Sequence, residues 1–135
     1  MDGPFSIDLD IQRTARDPGE ISKAFSMDPT YSWKRGDSFA GVRKTSTKWH
    51  GRIFEGHGAA EYASGLEVLI AFVAQHDQFI GKLVQLGAEV EVVLNQPTAV
   101  GSKGIVLDMQ LSPLFLRLLS QNDIGLRICA WSDNP

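Results

Sequence analysis

The run "FSIDLDIQ", near the start of the chain, constrains the fold more than any other. Phe5, Ile7, Leu9 and Ile11 fall on one side of an extended backbone, and Ser6, Asp8, Asp10 and Gln12 on the other. A helix would scatter these apolar residues around its axis, whereas a strand gathers them on one face. The alternation predicts a half-buried strand whose acidic side is solvated. "AEVEVVLN" repeats it with Glu89 and Glu91. Two strands of this kind ask for a sheet with one covered face and one face open to solvent or a partner.

Helices are predicted between the strands. In "RDPGEISKAFSM", Asp17 is placed to cap a helix, Pro18 to start it and Glu20 to complete a capping box, with Pro29 ending it. "SGLE" places Ser64 and Glu67 in the same relation, so the longest helix is expected to begin there, after a glycine-rich loop over "EGHGAAEYASG". Leu66, Leu69, Ile70 and Val73 continue it, and Phe79, Ile80, Leu83 and Val84 repeat the spacing. The polar "QHDQ" between them predicts a break, with Asp77 able to cap the second part and Gly87 ending it. Ser112 and Pro113 open a last helix. Further strands are expected at "YSW", "TKWHGRIF", "IVLDMQL" and "GLRICAW". The order implies one α+β domain over residues 1–135. Its sheet should be mostly antiparallel, of about five to six strands, with three to four helices mainly on one face. The first strand-helix-strand-strand-helix-strand run has the pattern of a ferredoxin-like, split βαβ core, with an added strand-helix-strand.

With 43% hydrophobic and 21% charged residues, the chain suits a soluble globular domain. A single cysteine, Cys129, leaves no intramolecular disulfide, which fits a reducing compartment. No apolar stretch is long enough to span a bilayer, and no basic region followed by an apolar run opens the chain. A cytoplasmic location is expected, with no membrane partner.

Catalytic and metal readings find little support. His50, His57 and His76 lack paired ligands at short fixed spacing, so they are expected as surface histidines, and neither metal nor cofactor is expected. Cys129 alternates with apolar neighbours as a small core residue does. "GSKG" and "GHG" lack the context of a phosphate loop. Asp8, Asp10, Glu89 and Glu91 are explained as a solvated sheet face rather than as paired catalytic carboxylates.

The segment 30–55 is the cluster with binding character. It carries six cations against two anions in a chain of net charge -3, interleaved with Tyr31, Trp33, Phe39, Trp49 and Phe54. Aromatics and arginines anchor interfaces, and the same mixture stacks bases and holds phosphates. Trp33, Lys34, Arg35, Asp37, Lys44 and Trp49 are the candidate binding residues. The competing explanation is that the tryptophans fill the core beneath a hairpin whose lysines protect an edge strand.

Ile21, Ser22, Phe25 (where leucine is more usual), Pro29, Trp33, Gly36, Ser46 and Trp49 form a pattern that resembles an uncharacterised bacterial family, domain of unknown function 4279. The resemblance runs on through the leucine-rich helix pair and "LSPLFLRLLSQNDIGLRICAW", and leaves out "HGRIFEGHGAAEYA". The family has no assigned activity. The resemblance, with the missing catalytic motifs, implies a non-enzymatic protein-binding module, with an immunity-type protein that guards against a toxin as its narrower form. The alternative is binding of nucleic acid or a phosphorylated ligand through 30–55. The acidic net charge argues against nucleic acid, and exposed strand edges would allow a homodimer.

Overall fold

Strand β1 (Pro4–Gln12) is the central strand of a five-stranded sheet in the computed structural model, which describes residues 3–98 and 111–132. It pairs antiparallel with β5 (Lys48–His57) on one side and β6 (Glu89–Thr98) on the other. The short β2 (Tyr31–Trp33) joins the outer edge of β5, again antiparallel, and β7 (Gly125–Ser132) joins β6 in parallel. The order β6-β1-β5-β2 is compatible with the expected ferredoxin-like core, and β7 is the added strand. A separate two-stranded hairpin, β3 (Ser38–Phe39) with β4 (Val42–Arg43), lies in the connection from β2 to β5. The strand expected over 105–111 lies, apart from Leu111, outside the described residues.

Four helices put their buried residues into one hydrophobic core on the apolar side of β1. Helix α1 (Pro18–Phe25) starts as expected, with Asp17 Oδ1 accepting the Gly19 N–H at 2.8 Å and Pro18 in the first turn. Glu20 does not close the capping box; it meets Arg16 instead. The helix ends before Pro29, at Ser26 in the left-handed region. Helix α2 (Gly58–Gln75) begins seven residues earlier than a helix capped by Ser64 would. The Glu61 carboxylate accepts the His57 N–H at 3.1 Å and fixes the real start, while Ser64 bonds back to the Ala60 carbonyl inside the helix. The expected loop is therefore strand end and helix. Helix α3 (Asp77–Gln85) follows the break at His76, although the Asp77 side chain caps nothing. Helix α4 (Pro113–Gln121) is capped by Ser112 Oγ, which accepts the Phe115 N–H at 3.2 Å.

Trp49 fixes the junction between α1 and the sheet. It is fully buried, its indole N–H donates to Ser22 Oγ at 3.0 Å, and its ring meets Phe25 edge-on at 5.2 Å. The indole lies along its own strand over Gly51, where a Cβ would collide with the ring. Glycine is required there for close approach.

Candidate functional site

The polar face of β1 is the first departure from expectation. Asp8 and Asp10 are 3% and 1% exposed, and His50 on the adjacent strand is 9% exposed. These are not solvated acids or a surface histidine. β1 has a neighbour on each side, and the long side chains of β5 and β6 close over it. Across the pairing, Asp10 faces His50 and Asp8 faces Arg52.

His50 bridges the two carboxylates. Its Nδ1 lies 2.8 Å from Asp10 Oδ1 and its Nε2 lies 2.9 Å from Asp8 Oδ2. Two carboxylate acceptors on two ring nitrogens require both nitrogens to donate, so the ring is an imidazolium. Burial opposes that charge, but hydrogen bonds and charge from Asp10 and Asp8 outweigh it and raise the His50 pKa to about 9. Burial also works against the Asp10 anion. Hydrogen bonds from His50 and Gln12, with the Lys48 charge, prevail and hold the carboxyl below its ordinary value. Lys48 Nζ stands 3.3 Å from Asp10 Oδ1, and Arg52 spans Asp8 at 3.1 Å and Glu55 at 3.2 Å. Asn95 donates to Asp8 Oδ2 at 3.1 Å. Three carboxylates thus face three cations, which is what makes such desolvation tolerable.

The imidazolium has no lone pair with which to act as a base or metal ligand, and both oxygens of Asp8 are engaged by His50, Asn95 and Arg52. A polar cleft beside this carboxylate is lined by Ser6, Asp8, Arg52, Glu55 and Asn95. Among the described residues, no group of three or more His, Cys, Asp or Glu side chains is placed to hold a metal ion. His57 is exposed at the start of α2, His76 packs between Phe25 and Phe72, and Cys129 is half-buried on β7.

From His50 an aromatic ladder runs outward to the basic segment. Tyr31 stacks on the His50 ring at 4.7 Å with a 9° tilt, Trp33 stacks on Tyr31 at 5.6 Å, and Phe39 meets Trp33 at 5.1 Å. Lys44 Nζ sits 4.0 Å above the Trp33 ring, and Lys48 Nζ lies 5.5 Å from both Tyr31 and Trp33. The structure therefore separates the two tryptophans named from sequence: Trp33 belongs to this half-buried ladder, while Trp49 lies in the core with no surface to offer.

No family model, curated protein or solved structure matches the chain.

The remaining candidates divide by their partners. "KRGD" is a tight turn: the Asp37 N–H donates to the Lys34 carbonyl at 3.0 Å, Asp37 Oδ2 accepts the Lys34 N–H at 2.8 Å, and Gly36 has φ +95°. Asp37 is thus spent on the turn. The Lys34 ammonium is held 2.6 Å from Asp17 Oδ2, a contact that lowers the Asp17 pKa and raises that of Lys34. Arg35, Arg43 and Lys44 form no ion pair among the described residues, and they share a shallow cleft with Gly36 and Thr45. Beside them Phe39 and Val42, paired across β3 and β4, are 45% and 58% exposed. Sequence had singled out neither Arg43 nor Val42 as a binding residue. An apolar residue within a run of cations was the available signal.

Proposed function

We propose that the chain is a non-enzymatic protein-binding module that docks a partner through the projecting hairpin of residues 34–47. The observation that carries this reading is the exposed Phe39–Val42 pair beside three cations without counter-charges. An apolar pair flanked by arginines has the composition of an interface anchor with a charged rim. A rigid base supports the same reading, because Tyr31 and Trp33 tie the hairpin to the buried ion network and so limit the ordering cost of binding. The closed hydrogen bonding of Asp8, Asp10 and His50 supports a structural rather than catalytic use of that network. Membership of the family the sequence resembles, and an immunity-type role within it, are narrower forms of this proposal.

The test is affinity capture from a lysate of the source organism with the wild-type chain, F39S/V42S and L86S. Leu86 is equally exposed but lies at the end of α3. A partner held by wild type and L86S and lost by F39S/V42S is the expected result. Capture that F39S/V42S leaves intact would remove the hairpin from the proposal.

A further inference from the structure

The cleft beside the apolar pair carries its own chemistry. Lys34 is neutralised by Asp17, Lys48 by Asp10, and Arg52 by Asp8 and Glu55. Arg35, Arg43 and Lys44 are left to one another, around a depression of roughly 320 Å³. Such convergence of like charges is unfavourable unless an anion enters. The geometry enforces it all the same. The Gly36 N–H donates to the Lys44 carbonyl and the Lys44 N–H to the Asp37 carbonyl, each at 2.8 Å, which clamps the two arms of the hairpin together. The Arg35 N–H is fixed to Thr47 Oγ1 at 3.1 Å. Lys44 is held in place by the Trp33 ring, and the Asp37 carboxylate accepts the Lys34 N–H of the "KRGD" turn.

We infer that this cleft is a subsite for a phosphoryl group carried on a serine or threonine of the docked partner. Two guanidinium forks and an ammonium match a phosphoryl group, with about two charges and three terminal oxygens, better than a carboxylate, which brings one charge and two oxygens. Thr45 lines the same cleft, and its hydroxyl is a further hydrogen-bond donor. A nucleic-acid strand fits less well. It needs a track of cations along its backbone, whereas the free cations of this region gather at one point of a chain with net charge -3. Val42 precedes Arg43 in the chain and pairs with Phe39 across the hairpin, so the phosphorylated residue should have apolar neighbours.

This inference rests on the docking proposal and names the partner's chemistry, but it is tested without a partner. Backbone amide spectra of the full chain are recorded during titration with O-phosphoserine, acetate, or single-stranded oligothymidine, at constant ionic strength. O-phosphoserine should move the Gly36 and Thr45 amides saturably and bind about tenfold more tightly than acetate. R35Q/R43Q should abolish that response while leaving the core amides, including that of Trp49, in place. A response to acetate as strong as to O-phosphoserine, or one that survives in R35Q/R43Q, would overturn the subsite. So would tighter binding of oligothymidine, per phosphate, with a steep salt dependence. If the subsite fails while capture still depends on Phe39 and Val42, docking stands and only the phosphoryl assignment falls.

Discussion

Lys44 and Lys48 lie four residues apart and end in opposite surroundings. The Lys44 ammonium rests on the Trp33 ring and meets no carboxylate among the described residues, whereas Lys48 reaches past the same ring to the buried Asp10. The same contrast separates Arg43 from Arg52, and Trp33 from Trp49. In the hairpin, cations and aromatics remain available. In the network behind it, the same residue types are used up internally. The difference teaches that residue type does not identify a site; what matters is whether each charge already has a partner.

The largest expected effect comes from breaking the buried side. H50F leaves two desolvated carboxylates without their bridge and should cost about 3–5 kcal/mol in denaturant unfolding. Adding D8N and D10N to H50F should recover part of that loss, because the orphaned charges are then gone. A loss below about 1 kcal/mol for H50F would mean that water takes the place of the ring and that the network is not structural.

The pH dependence comes next. The folded His50 pKa is raised from 6.5 to about 9, so its contribution is complete below pH 6.5 and disappears as pH rises through 9. Wild-type stability should fall by about 2 kcal/mol over that window, a figure reduced for partial solvent screening, while H50F stays flat. Asp10, lowered from 3.8, acts on the other side: its contribution is present above that value and is lost as pH falls through the lower folded pKa. Unfolding curves between pH 3 and 10 would test both arms. Equal slopes for wild type and H50F between 6.5 and 9 would assign the alkaline loss to another group.

Smaller still is D17A, which removes the α1 cap, with an expected cost of about 1 kcal/mol. It also frees Lys34 and so adds a cation to the hairpin, sharpening the comparison. If the phosphoryl subsite is right, O-phosphoserine should bind D17A at least as tightly as wild type. The smallest stability effect belongs to F39S/V42S, expected within about 0.5 kcal/mol of wild type although partner capture is lost. A large destabilisation would show that Phe39 and Val42 serve the fold rather than a partner.

Much of this was legible in the sequence. The alternation of β1 placed Ile7, Leu9 and Ile11 on one face, and all three are fully buried. The Asp17 and Ser112 caps are made as the local spacing implied, because a cap needs only a few consecutive residues. The start of α2 lies earlier than the Ser64 spacing implies, because Glu61, acting through the His57 amide, fixes the helix before Ser64 can. The two tryptophans among the binding candidates part company, since Trp33 and Trp49 look alike until their neighbours are known.

By itself, the sequence determined which residues share a strand face, where α1 and α4 begin, and that positive charge concentrates in 30–55. These are consequences of local periodicity and short-range hydrogen bonding. Only the tertiary structure decided that the acidic face of β1 is dry, that His50 carries a charge between Asp8 and Asp10, and that within 30–55 Arg35, Arg43 and Lys44 are the cations with no carboxylate partner among the described residues. The partners of Asp8 and Asp10 stand about forty residues away in sequence, and ion pairing depends on distance in space rather than along the chain. Period-two alternation says which side chains lie together and is silent on what closes over them.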